Sequence, residues 1–441
     1  MATTQLNDTQ GTPTNAIKYT LSMWAKRSNT FAGDSNYLAS VWVDGNNHWC
    51  MRFNDDQLDI YDYISSSTTT QLKTNRKFRD PAAWYHIVYV YDSANVTAGD
   101  RQRIYVNGVE ETSFATDTNP SSSAASVLNV SGRVLTFGAR NSASYFEGEM
   151  AHVHFCDGQA YAASDFGETD STSGIWVAKS SPSVTYGNNG FFLKFASGAS
   201  GTDSSGNSND FAVTGNLTNT KDNPDNNFCT GNPLNYQSSG GNIIYTNGNN
   251  TIYNSGNTWR SAYSTLGDNT GKYYFETKWV GSDSNWWVGI VDASQMSETA
   301  AKFVAATRGY GTNSSGHRGN SGSEVSWAGD VTYSQNDIVM IAFDMTNNFI
   351  YFGRNGTWAN SGDPTSGASG TGAPYAITAD KFYIPAYSLY SANAGLSANF
   401  GSGYFGTTAV ASAGTNASGN GIFEYDVPSG FTALSTKGLN S

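Results

Sequence analysis

At 441 residues the chain can hold two large sandwiches or about three average domains. Its 26 Tyr, 23 Phe and 11 Trp exclude a disordered polymer, because so many rings can fill large cores. Only 14 % of residues are charged and the net charge is −12, which disfavours nucleic acid and anionic membrane surfaces as partners.

No stretch approaches the ~18 consecutive apolar residues of a membrane-spanning helix, so no membrane insertion is expected. Residues 1–15, MATTQLNDTQGTPTN, lack a basic and an apolar region and do not read as a secretory signal. They read as an N-terminal arm that docks on a partner or a neighbouring copy. From Asn15 short strands follow: AIKYTLSMWAKRS, NYLASVWVDG, HWCMRFN and QLDIYDY. Between Lys18 and Lys26 the apolar residues alternate, placing Tyr19, Leu21, Met23 and Ala25 on one face. The first half then centres on Trp84–Gly108, where Trp84, His86, Val88 and Val90 alternate with Tyr85, Ile87, Tyr89 and Tyr91. Asp92 closes that strand and Asn107-Gly108 supplies the positive φ of a tight reversal. The same grammar returns at Asp337–Gly356, with Asp344 and Asn355-Gly356 in the corresponding places. Strands continue through VLTFGAR and EMAHVHFCDG, and the best short-helix candidate is Ala162–Phe166.

This grammar predicts an all-β protein of two antiparallel β-sandwich, jelly-roll domains. The first spans 16–198 and the second 236–441. Residues 199–235, rich in Gly, Ser, Asn and Asp with Pro224 and Pro233, read as an ordered, extended connection, with a flexible linker as the rival. Cys50, Cys156 and Cys229 are too few and too scattered for a disulfide scaffold or a zinc site.

The Trp84–Gly108 hairpin, with its Trp-x-His strand and Tyr-x-Asn-Gly turn, resembles concanavalin A-like, laminin G-like jelly rolls. Tyr145–Glu168 is similar to the last strand of that family. Its wording, Asp157-Gly158-Gln159-Ala160 and Asp165-Phe166-Gly167, resembles proteins of tailed bacteriophages. In the second half Lys272-Tyr273-Tyr274-Phe275-Glu276, Trp286-Trp287-Val288-Gly289-Ile290 and Asp337–Gly356 resemble SPRY domains in family order. These resemblances imply a structural protein on a virion surface, synthesised in the host cytoplasm. Its expected partners are other phage structural proteins, further copies of itself and a host surface glycan or protein. The loops that SPRY domains use for recognition correspond to Trp259, Arg308, Tyr310, Trp327 and Tyr333, the candidate ligand-binding residues. Of the adjacent Trp286 and Trp287, at least one is expected in the core.

No catalytic set is expected. A glycosidase needs two carboxyl groups about 5–10 Å apart. Glu147 and Glu149 share a strand face, but the Asp and second Glu of the jelly-roll glucanase string are missing, and both read as strand-edge solubility residues. His152, His154 and Cys156 share parity, yet three ligands on one strand converge poorly on a metal, so no metal is expected there. His48 and His86 stand alone and read as sheet-face residues. Asp44-Gly45-Asn46-Asn47 and Asn54-Asp55-Asp56 could offer oxygens to calcium, although Asp and Asn are also the ordinary turn residues; otherwise no cofactor is expected. Two alternatives stand beside a ligand-presenting structural protein: a cement protein without ligand, and a polysaccharide-degrading glycoside hydrolase.

Overall fold

The structure is a computed structural model describing residues 4–28, 35–236, 243–296, 301–327, 329 and 331–440. It divides into two compact units, residues 1–219 and 220–441. Both are all-β, and among the described residues the helical elements are three-residue 3₁₀ turns.

In the first unit two antiparallel sheets enclose one core. The described part of one sheet orders eight strands as Phe114–Thr118, Ser67–Lys77, Gln57–Ile64, Asn47–Asn54, Ser35–Asp44, Val134–Phe137, Gln5–Thr9 and Ala212–Thr214. The other orders six, Phe191–Leu193, Gly148–Asp157, Lys18–Arg27, Trp84–Asp92, Gln102–Val106 and Val109–Glu110. The alternation in Lys18–Arg27 works as expected: Tyr19, Leu21, Met23 and Ala25 enter the core, against Trp49, Met51 and Phe53 of the opposite sheet. Tyr19 stacks on Tyr91 with centroids 5.0 Å apart. Each large apolar side chain so buried stabilises the fold by about 1.5–3 kcal/mol before the ordering entropy is subtracted.

The residues read as an N-terminal arm are instead part of this unit, apart from residues 1–3, which lie outside the described set. Gln5–Thr9 pairs with Val134–Phe137 on one side and Ala212–Thr214 on the other. Leu6 is buried in the core, and the Gln10 backbone exchanges hydrogen bonds with Arg133 (2.9 Å) and Gly132 (2.8 Å). The segment's backbone groups are therefore satisfied within its own sheet. The stretch 199–235 is likewise shared out. Asp203 accepts from the amides of Phe192 (2.9 Å), Ser205 (2.8 Å) and Asn209 (3.1 Å) in the first unit, whereas Gly231–Tyr236 pairs with Arg260–Ser264 in the second.

The outer face of the six-stranded sheet is roofed by the chain after it. Val88, Val90 and Cys156 pack with Ala163 and Phe166, and Tyr161, Trp176 and Tyr186 close the edge. The expected short helix is a single turn, Ala163–Asp165, opened by Asp165 accepting from the Ala162 amide at 2.8 Å.

The second unit also pairs two sheets. One centres on Tyr383–Leu389 and Trp286–Asp292, the other on Lys272–Trp279 and Ile338–Asp344. Antiparallel order is departed from where Thr432–Ala433 pairs in parallel with Tyr273 and Tyr274 and where Ser402 bridges Ile422 in parallel. Both outer faces are covered. Phe423, Val427 and Phe431 lie over Tyr274, Met340 and Tyr351, while Phe303 and Val304 lie over Trp287 and Ile384.

The repeated grammar has a repeated structure. Asn107 and Asn355 adopt φ of 48° and 47°, followed by Gly108 at 82° and Gly356 at 86°. Each Asn side-chain oxygen accepts from the first strand, at 2.8 Å from the His86 amide and 2.8 Å from the Ile338 amide. A lysine sits opposite each strand-closing aspartate: Lys18–Asp92 at 3.1 Å and Lys272–Asp344 at 2.9 Å. Asp344 also accepts from the Asn347 amide at 2.8 Å, as its turn role requires.

Candidate functional site

The residues with unspent recognition chemistry lie on the outer face of the eight-stranded sheet. Three strands joined by short turns, Ser35–Asp44, Asn47–Asn54 and Gln57–Ile64, send one parity inward and the other outward. The outward parity builds two cross-strand rows: Tyr37–Arg52–Asp59 and Trp42–His48–Tyr63. Cys50 and Tyr61 lie opposite each other between the rows. In the Trp42 row, His48 stacks on Trp42 with centroids 4.7 Å apart and on Tyr63 at 4.9 Å. Burial lowers the His48 pKa; a backbone hydrogen bond at Asp44 opposes the shift, and Arg140 and Arg52 add to it. In the other row Arg52 makes a two-pronged contact with Asp59, at 3.0 and 2.9 Å, and donates to the Tyr37 hydroxyl at 2.9 Å. Gln71 donates to the second Asp59 oxygen at 2.8 Å.

Arg140 enters from the chain just after Val134–Phe137. Its guanidinium lies 4.9 Å from the Tyr37 ring centre and 5.0 Å from that of Trp42. Trp42, Tyr63, Arg52, Gln71 and Arg140 are half-buried, so the face offers ring surfaces, N–H donors and an amide to solvent. Rings that stack a sugar, beside fixed polar groups that orient it, are the ordinary ingredients of a saccharide site. The period-2 parity of NYLASVWVDG, HWCMRFN and QLDIYDY carries this signal. It escapes a linear reading because each strand, taken alone, supplies only two or three such residues.

The second-unit candidates do not form one site. Tyr310 and Tyr333 are corrections: both lie inside the core, only 5 % and 4 % exposed. Tyr310 packs near Tyr375 and Tyr383 and bonds Thr378 through its hydroxyl at 3.1 Å; Tyr333 packs on Trp286 at 5.6 Å. Tyr310 lies within the strand Gly309–Asn313, opposite Ile290, and so faces the core rather than a loop. Arg308 is held by Asp292 and by Ser294 Oγ at 3.1 Å. Trp259 is half-buried under Lys302, whose ammonium lies 4.3 Å from the ring centre. Trp327 donates to the Gly316 carbonyl at 3.2 Å, with Arg318 over its ring at 5.6 Å. Trp286 and Trp287 are both in cores.

The remaining chemical candidates are occupied in other ways. His86 accepts at Nδ1 from the Trp176 indole (3.0 Å), a group that can only donate, so its proton sits on Nε2 and points at Ser22 Oγ (2.9 Å). Burial depresses its pKa to about 3, so this buried pair cannot take the serine proton in the manner of a hydrolase dyad. A bulge interrupts the strand between Ala151 and His154, with His152 at φ 46°, and both histidine rings end beside Phe192, at 6.0 and 3.8 Å. His154 also meets the Tyr186 hydroxyl at 3.0 Å. Among the described residues no group of three or more His, Cys, Asp or Glu could hold a metal ion. Asp44 binds its own turn through the Asn46 amide (2.7 Å), and Asp56 is taken by Arg27 (3.0 Å) and Arg79 (2.9 Å). Glu147 and Glu149 are half-buried, and Glu149 faces Lys26 across the ladder.

Residues 2–164 match the family model described as the concanavalin A-like lectin/glucanases superfamily. A search of curated proteins returned no match. Among solved structures, the SPRY domain of human HERC1 aligns with 38 % of this chain and 96 % of its own, at 16 % identity and a TM-score of 0.30. The native heptameric SAP-like pentraxin from Limulus polyphemus aligns with 36 % of this chain and 72 % of its own, at 18 % identity and a TM-score of 0.28. With its two facing antiparallel sheets, the first unit has the concanavalin A-like β-sandwich fold.

Proposed function

We propose that the chain is a non-enzymatic structural protein of a tailed-phage particle whose first sandwich binds a surface glycan through the open face of its eight-stranded sheet. The observation that carries the binding reading is the outward row Trp42–His48–Tyr63 flanked by Arg52 and Arg140. The edges of these stacked rings and the outer side of Tyr63 give a sugar apolar surface to pack on, and the flanking donors match its hydroxyl oxygens. The virion reading is supported by the wording of Tyr145–Glu168. In this reading the protein stands on the particle surface beside other phage structural proteins and further copies of itself, and no cofactor enters.

The superfamily description covers glucanases as well as lectins, so the test must separate binding from cleavage. Wild type and Trp42→Ala are applied to a glycan array, and the same glycans in solution are assayed for new reducing ends. Retention that is lost in Trp42→Ala, without released ends, is expected. Released ends would establish a hydrolase; no retention by folded wild type would leave the cement protein. Mass spectrometry of purified phage particles tests the location.

A further inference from the structure

Resting on the glycan-binding reading, we infer that the open sheet face recognises an acidic saccharide, with Arg140 taking the sugar's carboxylate or sulfate while Trp42 and Tyr63 take its rings. Four of the unit's other arginines close on carboxylates: Arg27 and Arg79 on Asp56, Arg52 on Asp59, and Arg76 on Glu111. Arg101 and Arg133 donate to backbone carbonyls, and Arg103 keeps a buried Nε without a hydrogen-bond partner. Arg140 has no carboxylate and no side-chain hydrogen bond among the described residues. Its guanidinium is held by two ring faces, Tyr37 and Trp42. Stacking fixes the plane of a guanidinium and leaves its N–H edge free, the arrangement that grips a carboxylate or sulfate with two parallel hydrogen bonds. Being half-buried, the group has already shed part of its water shell, which strengthens a contact with an anion.

The surroundings favour the same ligand. Arg52 is paired with Asp59, whereas Arg140 has no ion pair among the described residues. The acidic protein as a whole repels a polyanion, but that repulsion is screened beyond ~8 Å at physiological salt, whereas a direct contact is not.

The test uses matched pairs that differ in charge: trigalacturonate against its methyl ester, and sialyllactose against lactose. Each is titrated calorimetrically into the full chain as wild type, Arg140→Gln, Arg140→Lys and Trp42→Ala, with near-ultraviolet circular dichroism verifying the fold. For at least one pair, wild type is expected to bind the acidic member about tenfold more tightly. Arg140→Gln removes that preference, weakening the acidic member more than the neutral one, and Arg140→Lys, which lacks the two-pronged edge, restores part of it. Equal affinity for both members, or a preference that survives in Arg140→Gln, overturns this inference and leaves the face a neutral-sugar site. Wild type binding none of the four at millimolar concentration, or Trp42→Ala binding as wild type does, overturns the glycan-binding reading with it.

Discussion

The two units spend their aromatic residues differently. In the second, Trp286, Tyr310 and Tyr333 fill the space between the sheets, and both outer faces are covered by later parts of the chain. In the first, the core is as well filled and one outer face is roofed by the segment around Ala163–Asp165. The other outer face carries Trp42, His48, Tyr61 and Tyr63 with two guanidinium groups among them. Rings shielded on both sides can only stabilise, whereas rings left at a surface beside donors can also recognise. A count of aromatics along the sequence does not separate these two uses; parity and the path of the covering segment do.

The sharpest way to break this contrast is to truncate one tryptophan of each kind. Trp286→Ala empties a fully buried site, and the second unit is expected to lose about 3–5 kcal/mol in urea unfolding. Trp42→Ala removes a half-buried ring, and the first unit is expected to lose ~1 kcal/mol or less while glycan retention falls at least about tenfold. A large stability loss from Trp42→Ala, with retention intact, would reverse the assignment of the two faces.

A second test compares how pH acts on the units. Each deeply buries a carboxyl group whose pKa burial raises: Asp62 to about 6 and Glu276 to about 7. Asp62 lies beneath Ser126 Oγ (3.0 Å) and the Val127 amide (2.7 Å); Glu276 anchors the covering segment through the Glu424 (2.9 Å) and Tyr425 (2.8 Å) amides. In each case the folded unit holds its proton more tightly than the unfolded chain does. The resulting stability is full below the ordinary values of 3.8 and 4.5, and is lost as pH rises through about 6 in the first unit and about 7 in the second. Every tenfold difference in proton affinity between the folded and unfolded chain is worth ~1.4 kcal/mol. Melting curves across this range should show the second unit weakening at higher pH than the first, with Asp62→Asn and Glu276→Gln each flattening its own transition.

A paired substitution sharpens the point on which the units agree. Asn107→Ala and Asn355→Ala each remove a residue suited to positive φ and one side-chain hydrogen bond to the neighbouring strand, and Asn355→Ala also removes an exposed bond to the Asp337 carboxylate at 2.6 Å. Each should cost its own unit about 1–2 kcal/mol, and nearly the same amount, in chemical denaturation. Unequal losses would mean that the repeated Asn-Gly wording hides different structural duties.

The sequence by itself determined the all-β class, the inward set Tyr19, Leu21, Met23 and Ala25, and the two matching hairpins with their Asn-Gly turns. Those features depend on neighbours a few residues apart, through side-chain alternation and the φ preferences of Asn and Gly. The tertiary structure alone decided which sheet faces the described chain roofs, because that depends on where residues 159–186 and 423–431 travel after their strands end. It also turned Tyr310 and Tyr333 inward, drew Gln5–Thr9 into a sheet, and set Arg140 on Tyr37 and Trp42, about a hundred residues away in the chain. Contacts of that range are selected by the packing of the whole unit, and no local pattern of residues encodes them.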